Sequence, residues 1–172
     1  MKELVNLVLD TVAGLLAGVL LLRFWIQVVR VRPPQQVAQF TFQLSDWIVK
    51  PMRRIIPGVG GFDWASLIAA YLVALLCTLI KVWLLLDALP LTVFIWALFL
   101  LLQWIIYGWI GLLGLEVIFS WVNPHAPLAP FVQALNVPLL RPIRKIVPLL
   151  GGLDISPMVL FMLLFGALRL LA

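Results

Sequence analysis

Lys50, Arg53 and Arg54, with Arg141, Arg144 and Lys145, are the side chains whose type and spacing suit a defined chemistry. Guanidinium groups donate two parallel hydrogen bonds to a phosphate, and a nearby helix start adds N–H groups and a positive dipole end. Binding of anionic headgroups, or of an acidic partner, is one use of such clusters. They lie in two copies of one stretch, KPMRRIIPGVGGFD from Lys50 to Asp63 and RPIRKIVPLLGGLD from Arg141 to Asp154, offset by 91 positions. Seven of the fourteen positions are identical, among them Pro51/Pro142, Arg53/Arg144, Pro57/Pro148, Gly60/Gly151, Gly61/Gly152 and Asp63/Asp154. A second use follows from that set. The prolines end helices, the glycines permit a tight reversal, and each aspartate stands where an N-cap carboxylate accepts backbone N–H groups. Asp63 and Asp154 then pair with Arg53 and Arg144, closing each motif into a structural hairpin, and this reading is preferred.

Arg23 and Glu116 are charges inside apolar runs, where an uncompensated charge costs a few kcal/mol and normally faces protein, water or a partner. Aligning the residues around them places both at equivalent depths in the two repeats. A buried ion pair across the pseudo-two-fold axis is the expectation. The competing reading has Arg23 snorkelling to the headgroups and Glu116 protonated in an apolar setting.

Other chemistries are excluded or disfavoured. Cys77 is the single cysteine and His125 the single histidine, so neither an intrachain disulfide nor a Cys/His zinc site can be assembled. No metal or cofactor is expected. The glycines after Pro57 do not follow a strand and lack the Lys-Ser or Lys-Thr of a phosphate-binding loop. No Ser/His/Asp or Cys/His set has evidence of mutual placement, and an enzyme is not expected. The formal charge of +5 suggests nucleic acid at first sight. The basic residues, however, sit in short clusters beside apolar spans, which points to anionic headgroups, with no nucleic-acid partner.

The elements that must hold these groups are apolar. With 65% hydrophobic residues, 11% charged residues and a mean hydropathy of +1.17, the 172-residue chain has too little polar surface for a soluble globule. An all-α membrane protein is predicted, with spans over Val8 to Val31, Trp64 to Leu86, Leu91 to Val122 and Ile155 to Leu171. The amino-terminal run lacks a cleavage pattern and reads as a retained anchor. Asp87 to Pro90 is a minimal turn. The run from Leu91 to Val122 is expected as one long helix, bent or loosened around Gly108, Gly111 and Gly114. Between the first two spans, Gln36, Gln39, Gln43, Asp46, Lys50 and Arg53 oppose Val37, Phe40, Leu44, Trp47 and Ile48, the pattern of an amphipathic helix lying in the interface. Pro51 is expected to break it. Phe131 to Val147 repeats the element less cleanly, interrupted by Pro138 and Pro142, and is re-entrant or irregular.

Residues 1–88 and 89–172 thus form two parallel repeats of helix, basic hairpin and helix. The positive-inside rule puts both basic loops in the cytoplasm and both termini outside. Gly14/Gly18 and Gly108/Gly111/Gly114 offer smooth faces for membrane-protein partners or a homo-oligomer.

The doubled P-[IM]-R-[RK]-I-[IV]-P-x-x-G-G-[FL]-D and the Phe-Ser-Trp-Val-Asn-Pro from Phe119 to Pro124 resemble the YggT family of small integral membrane proteins. The resemblance covers nearly the whole chain, both repeats included. It implies a bacterial inner-membrane protein without enzyme activity, associated with tolerance of osmotic shock and with potassium handling. Plastid relatives act in cytochrome b6f assembly or organelle organisation, so an assembly factor or scaffold is an alternative, and an oligomeric channel or transporter a third. Where the family often has an arginine ahead of Ser-Trp-Val in the second repeat, this chain has Glu116.

Overall fold

In the computed structural model the chain is all-helical, and the structure describes residues 2–56, 58, 60–86, 91–147 and 154–171. The described residues form six helices in order: α1 (Lys2–Val29), α2 (Gln35–Ile55), α3 (Trp64–Leu86), α4 (Val93–Val122), α5 (Ala129–Ile146) and α6 (Ser156–Leu171). Among the described residues, three contain stretches long and apolar enough to cross a membrane: Glu3–Val29, Trp64–Leu84 and Val93–Val122. The fourth expected span, α6, is apolar but has 16 residues. At 1.5 Å per residue it reaches only about 24 Å, short of a hydrocarbon core of roughly 30 Å.

The run after Leu91 is one continuous helix of 30 residues. Gly108, Gly111 and Gly114 do not break it, because a helix apolar on every side loses little by carrying glycines that open onto empty space.

Two sequence expectations need correction. Pro51 does not end α2, and Pro138 and Pro142 do not break α5 into irregular pieces; all three lie inside helices. Each proline removes one hydrogen bond to the fourth residue before it. Packing of the same helices outweighs that loss, since Thr41, Ser45 and Val49 of α2 and Phe131, Val132, Leu135, Asn136 and Leu140 of α5 are buried. The helices instead end after Ile55 and Ile146, where Ile56 and Val147 turn to extended backbone.

In α2 the buried side is neither the polar stripe nor the large apolar one. Thr41, Ser45 and Val49 recur every four residues and form a ridge of small side chains against α1 and α3. Phe40, Leu44 and Trp47 point outward and are exposed. A helix that buries small residues and presents large apolar ones outward matches a surface that is itself apolar.

Each half packs as a closed triple, α1 with α2 and α3, and α4 with α5 and α6. In the first, Leu20 and Val49 meet an alanine ridge on α3 (Ala65, Ala69, Ala70, Ala74). In the second, Ile106 and Leu113 meet Leu140, Leu160 and Leu164. The halves join where α4 meets α1 and α3, and where Phe131, Val132 and Leu135 of α5 pack against Leu22, Trp25 and Ile26 of α1. Trp25 Nε1 also donates to the Leu135 carbonyl at 3.0 Å.

Candidate functional site

The polar residues of the first half converge between the C-terminal end of α1, the polar side of α2 and the start of α3. Arg23 is 6% exposed and Asp63 2%, so both charges are withdrawn from solvent and need partners. Arg23 Nη1 donates to Ser45 Oγ and to Asp46 Oδ1, both at 2.7 Å. Its Nε lies 3.4 Å from Asp63 Oδ2, within ion-pair range but not aligned as a hydrogen bond. The guanidinium also sits 4.9 Å from the centre of the Phe42 ring, a cation–π distance. Ser45 Oγ in turn donates to the Thr41 carbonyl at 2.6 Å, which fixes the hydroxyl as an acceptor for Arg23.

Asp63 joins this cluster to the basic motif. Arg53 donates to both of its oxygens, Nε to Oδ1 at 3.3 Å and Nη2 to Oδ2 at 2.6 Å, and Ser66 Oγ donates to Oδ2 at 2.6 Å. Burial pushes the Asp63 carboxyl up, but the hydrogen bonds from Arg53 and Ser66 and the positive charges of Arg53 and Arg23 more than reverse this, leaving it below its ordinary value. Asp46 is also lowered, first by its hydrogen bond from Lys50 and then by that from Arg23, against a smaller opposing effect of burial. Lys50 Nζ stands 2.9 Å from Asp46 Oδ2, one turn away on the same helix. Both carboxylates are therefore ionised.

The loop between these helices is shaped to match. Gly60 and Gly61 have φ of +70° and +81°, the left-handed region that glycine enters without steric cost. Gln27 Nε2 donates to the Gly61 carbonyl at 3.1 Å, tying the turn to α1. Around the cluster lies a cleft of about 370 Å³, lined among others by Arg23, Gln27, Thr41, Phe42, Lys50 and Arg53.

The second half reproduces the arginine–aspartate pair but not the cluster. Arg144 Nε donates to Asp154 Oδ2 at 2.8 Å, and Asp154 Oδ1 accepts the Ser156 N–H, two residues on at the start of α6, at 3.0 Å. Burial raises the Asp154 carboxyl, and the bonds from Ser156 and Arg144 bring it below its ordinary value. At the place of Arg23, Glu116 accepts from Asn136 Nδ2 at 2.7 Å, and the same amide reaches the Leu112 carbonyl at 3.0 Å. Asn136 occupies the position 91 residues after Ser45.

Arg23 and Glu116 thus do not pair with each other. Each is engaged by the amphipathic helix of its own half, Arg23 by Ser45 and Asp46 and Glu116 by Asn136. Sequence reasoning placed Asp46 on the polar face of the amphipathic helix without assigning it to Arg23. The available signal was the spacing that puts Thr41, Ser45, Asp46 and Val49 on adjoining sides of one helix.

Among the six cations of the motifs, Arg53 and Arg144 are committed to the aspartates and Lys50 to Asp46. Arg54, Arg141 and Lys145 are exposed and have no ion pair among the described residues. Pro51, Gly60, Gly61 and Pro142 belong to the hairpins or the helices leading into them. Pro57, Pro148, Gly151 and Gly152, and the turn Asp87 to Pro90, lie outside the described residues. Among the described residues no group of three or more His, Cys, Asp or Glu side chains is placed to hold a metal.

The six helices among the described residues, three of them long and apolar enough to cross a membrane, with charged clusters at their junctions, are compatible with a membrane protein. The family model described as CCB3/YggT matches residues 2–85 and 95–172, and the chain belongs to that family. It is 38% identical to the uncharacterised protein YggT of Escherichia coli K12, over 91% of this chain and 83% of that one. An uncharacterised protein of Pseudomonas aeruginosa is 35% identical over 91% of this chain and 82% of its own length, and one of Haemophilus influenzae 32% over 92% and 87%. No solved structure matches.

Proposed function

We propose that this is a non-enzymatic, multi-pass protein of the bacterial inner membrane whose basic hairpins engage anionic lipid headgroups. The observation that carries the reading is the pairing of free cations with outward apolar side chains at matching places. Arg54 precedes Ile55, which is 83% exposed, and Lys145 precedes Ile146, which is 82% exposed. Both dipeptides close an amphipathic helix, and α2 adds the exposed Phe40, Leu44 and Trp47. Apolar side chains entering the acyl boundary beside cations at headgroup level are what an interfacial helix requires, with about 1 kcal/mol of attraction per basic residue near an anionic surface.

On this reading α6 completes a fourth span with the bilayer thinned around its short apolar stretch, the two halves are parallel repeats, both hairpins are cytoplasmic and both termini lie outside. The packing of all three helices of each half against one another supports the repeat arrangement. Support of osmotic-stress tolerance or potassium homeostasis is the physiological role that the family resemblance suggests.

The reading is tested in nanodiscs containing phosphatidylcholine with or without phosphatidylglycerol. The natural chain is expected to be stabilised by, and to retain, the anionic lipid, and Arg54→Gln/Arg141→Gln/Lys145→Gln to lose that preference while staying folded. An unchanged preference in the triple variant overturns the reading.

A second reading, an assembly partner or homo-oligomer, is favoured by one observation. Gly18, Gly108 and Gly111 line an apolar cavity of about 500 Å³ between α1 and α4, and a Cβ on any of them meets nothing within 4 Å. Such a strip admits the backbone of another helix.

A further inference from the structure

We propose that the cleft between α1 and α2 binds one phosphate group, carried by a lipid headgroup or by a free phosphate ion. The site is separate from the exposed helix-end cations, and its existence does not rest on the preceding reading.

The charge in and around the cleft is unbalanced. Arg23, Lys50 and Arg53 line it. A fourth cation, Arg30, brings Nη2 to 3.8 Å from where a Cβ of Gly61 would stand, and the Gly61 carbonyl is held by Gln27 of the cleft wall. Asp46 and Asp63 are the carboxylates that answer them. Four cations against two carboxylates leave an excess of two positive charges. Guanidinium groups with a fixed, partly desolvated geometry favour phosphate over smaller or softer anions.

Two buried polar atoms of cleft-lining residues make no hydrogen bond, although Arg23 Nε has Asp63 Oδ2 at 3.4 Å as an ion-pair partner. Arg23 Nε makes no hydrogen bond, and Thr41 Oγ1 has none although the residue is 1% exposed. A buried donor left unmade costs about 1–3 kcal/mol, so such atoms point to an acceptor that completes them. Nε is a donor only, and a hydroxyl both donates and accepts, so a group with oxygen acceptors would satisfy both. A cleft of about 370 Å³ falls within the roughly 300–1,000 Å³ of small-ligand sites.

Arg30 itself is held against a conformational cost. The Val31 N–H reaches the Ile26 carbonyl and the Arg30 N–H the Gln27 carbonyl, both at 3.2 Å, which is the Schellman ending of α1. The left-handed residue of that ending is usually glycine, yet Arg30 occupies it with φ of 58°. A non-glycine residue there costs roughly 1–2 kcal/mol, and such outliers gather where function requires the side chain. The second half carries Glu116 and Asn136 in place of Arg23 and Ser45, so the chain has one site and not two.

The test uses the full chain, purified in neutral detergent and stripped of lipid, titrated calorimetrically with inorganic phosphate and separately with a short-chain phosphatidylglycerol. One-to-one saturable binding of at least one probe is expected. Arg30→Gly and Thr41→Val are each expected to weaken it by roughly tenfold, the worth of one charge-assisted contact. Arg30→Gly relieves the strained turn, so its thermal stability is expected to equal or exceed that of the natural chain, which separates lost binding from lost folding. Saturation by both probes assigns recognition to the phosphate group itself, by the lipid alone to a headgroup, and by phosphate alone to the free ion. The proposal is overturned if folded protein saturates with neither probe, or if both single substitutions leave the affinity unchanged.

Discussion

The Arg23 guanidinium stands 2.7 Å from the Asp46 carboxylate, across the junction of a long apolar helix and an amphipathic one. That contact answers the largest electrostatic problem of the first half, because Arg23 is otherwise surrounded by α1, α2 and α3. It also makes the cluster directional: Asp63 takes Arg53 and Arg23, and Asp46 takes Arg23 and Lys50.

The two ends of that chain of charges should differ in sensitivity. Asp63→Asn leaves two arginines facing a neutral group at a buried site and is expected to cost about 3 kcal/mol. Arg23→Leu leaves Asp63 with Arg53 and Asp46 with Lys50, and is expected to cost less, about 2 kcal/mol. Thermal unfolding in detergent, followed by circular dichroism, checks the order; the opposite order would show that Arg23 and not Asp63 is the hub.

Because Arg23 and Glu116 bind separate partners, their effects should add. The double variant Arg23→Leu/Glu116→Leu is expected to lose the sum of the two single losses within about 0.5 kcal/mol. A double variant more stable than that sum would indicate a direct coupling between the two charges.

Much of this arrangement could be read from residue order, and the part that could not has a physical cause. The repeats, the hairpin pairing of Arg53 with Asp63 and of Arg144 with Asp154, and the single long α4 follow from motif spacing and from a continuous apolar run. The partners of Arg23 do not, since Ser45 and Asp46 lie 22 and 23 residues away and meet it only when α2 folds back on its small-residue ridge. Proline signals misled at Pro51, Pro138 and Pro142, where tertiary packing outweighs a local preference. The left-handed Arg30 has no sequence signal, because the Schellman ending ordinarily announces itself by glycine.

Acid should loosen the hairpins. Asp46, Asp63 and Asp154 all titrate below their ordinary values in the folded chain. The stabilisation linked to each is therefore fully present above the unfolded value and is lost as pH falls through the lowered folded one. Melting temperature is expected to be flat from neutral pH to about 5 as far as these groups are concerned and to fall below that. Asp63→Asn should start from a lower plateau and fall less steeply; an acid limb identical to that of the natural chain would remove Asp63 from the cause.

Glu116 and Asn136 offer a test of what the second half retains. Glu116→Gln still presents a carbonyl to Asn136 Nδ2 and is expected to cost less than about 1 kcal/mol, whereas Glu116→Leu leaves a fully buried amide with one partner fewer and is expected to cost about 2 kcal/mol. Equal losses in the two variants would mean that the hydrogen bond carries no weight.

The open glycines distinguish a solitary chain from an assembling one. In a helix interior glycine is about 0.5–1 kcal/mol worse than alanine, and a Cβ at Gly108 or Gly111 meets nothing within 4 Å. Gly108→Ala/Gly111→Ala is therefore expected to raise the stability of the monomer by about 1–2 kcal/mol if lipid alone covers the strip. If another helix seats there, the added methyl groups keep the backbones apart, and crosslinking between copies should fall even as the monomer becomes more stable. Measuring melting temperature and crosslinking yield on the same samples separates the cases. A rise in stability with unchanged crosslinking places any self-association elsewhere, and a loss of monomer stability would show that the strip is already filled from within the chain.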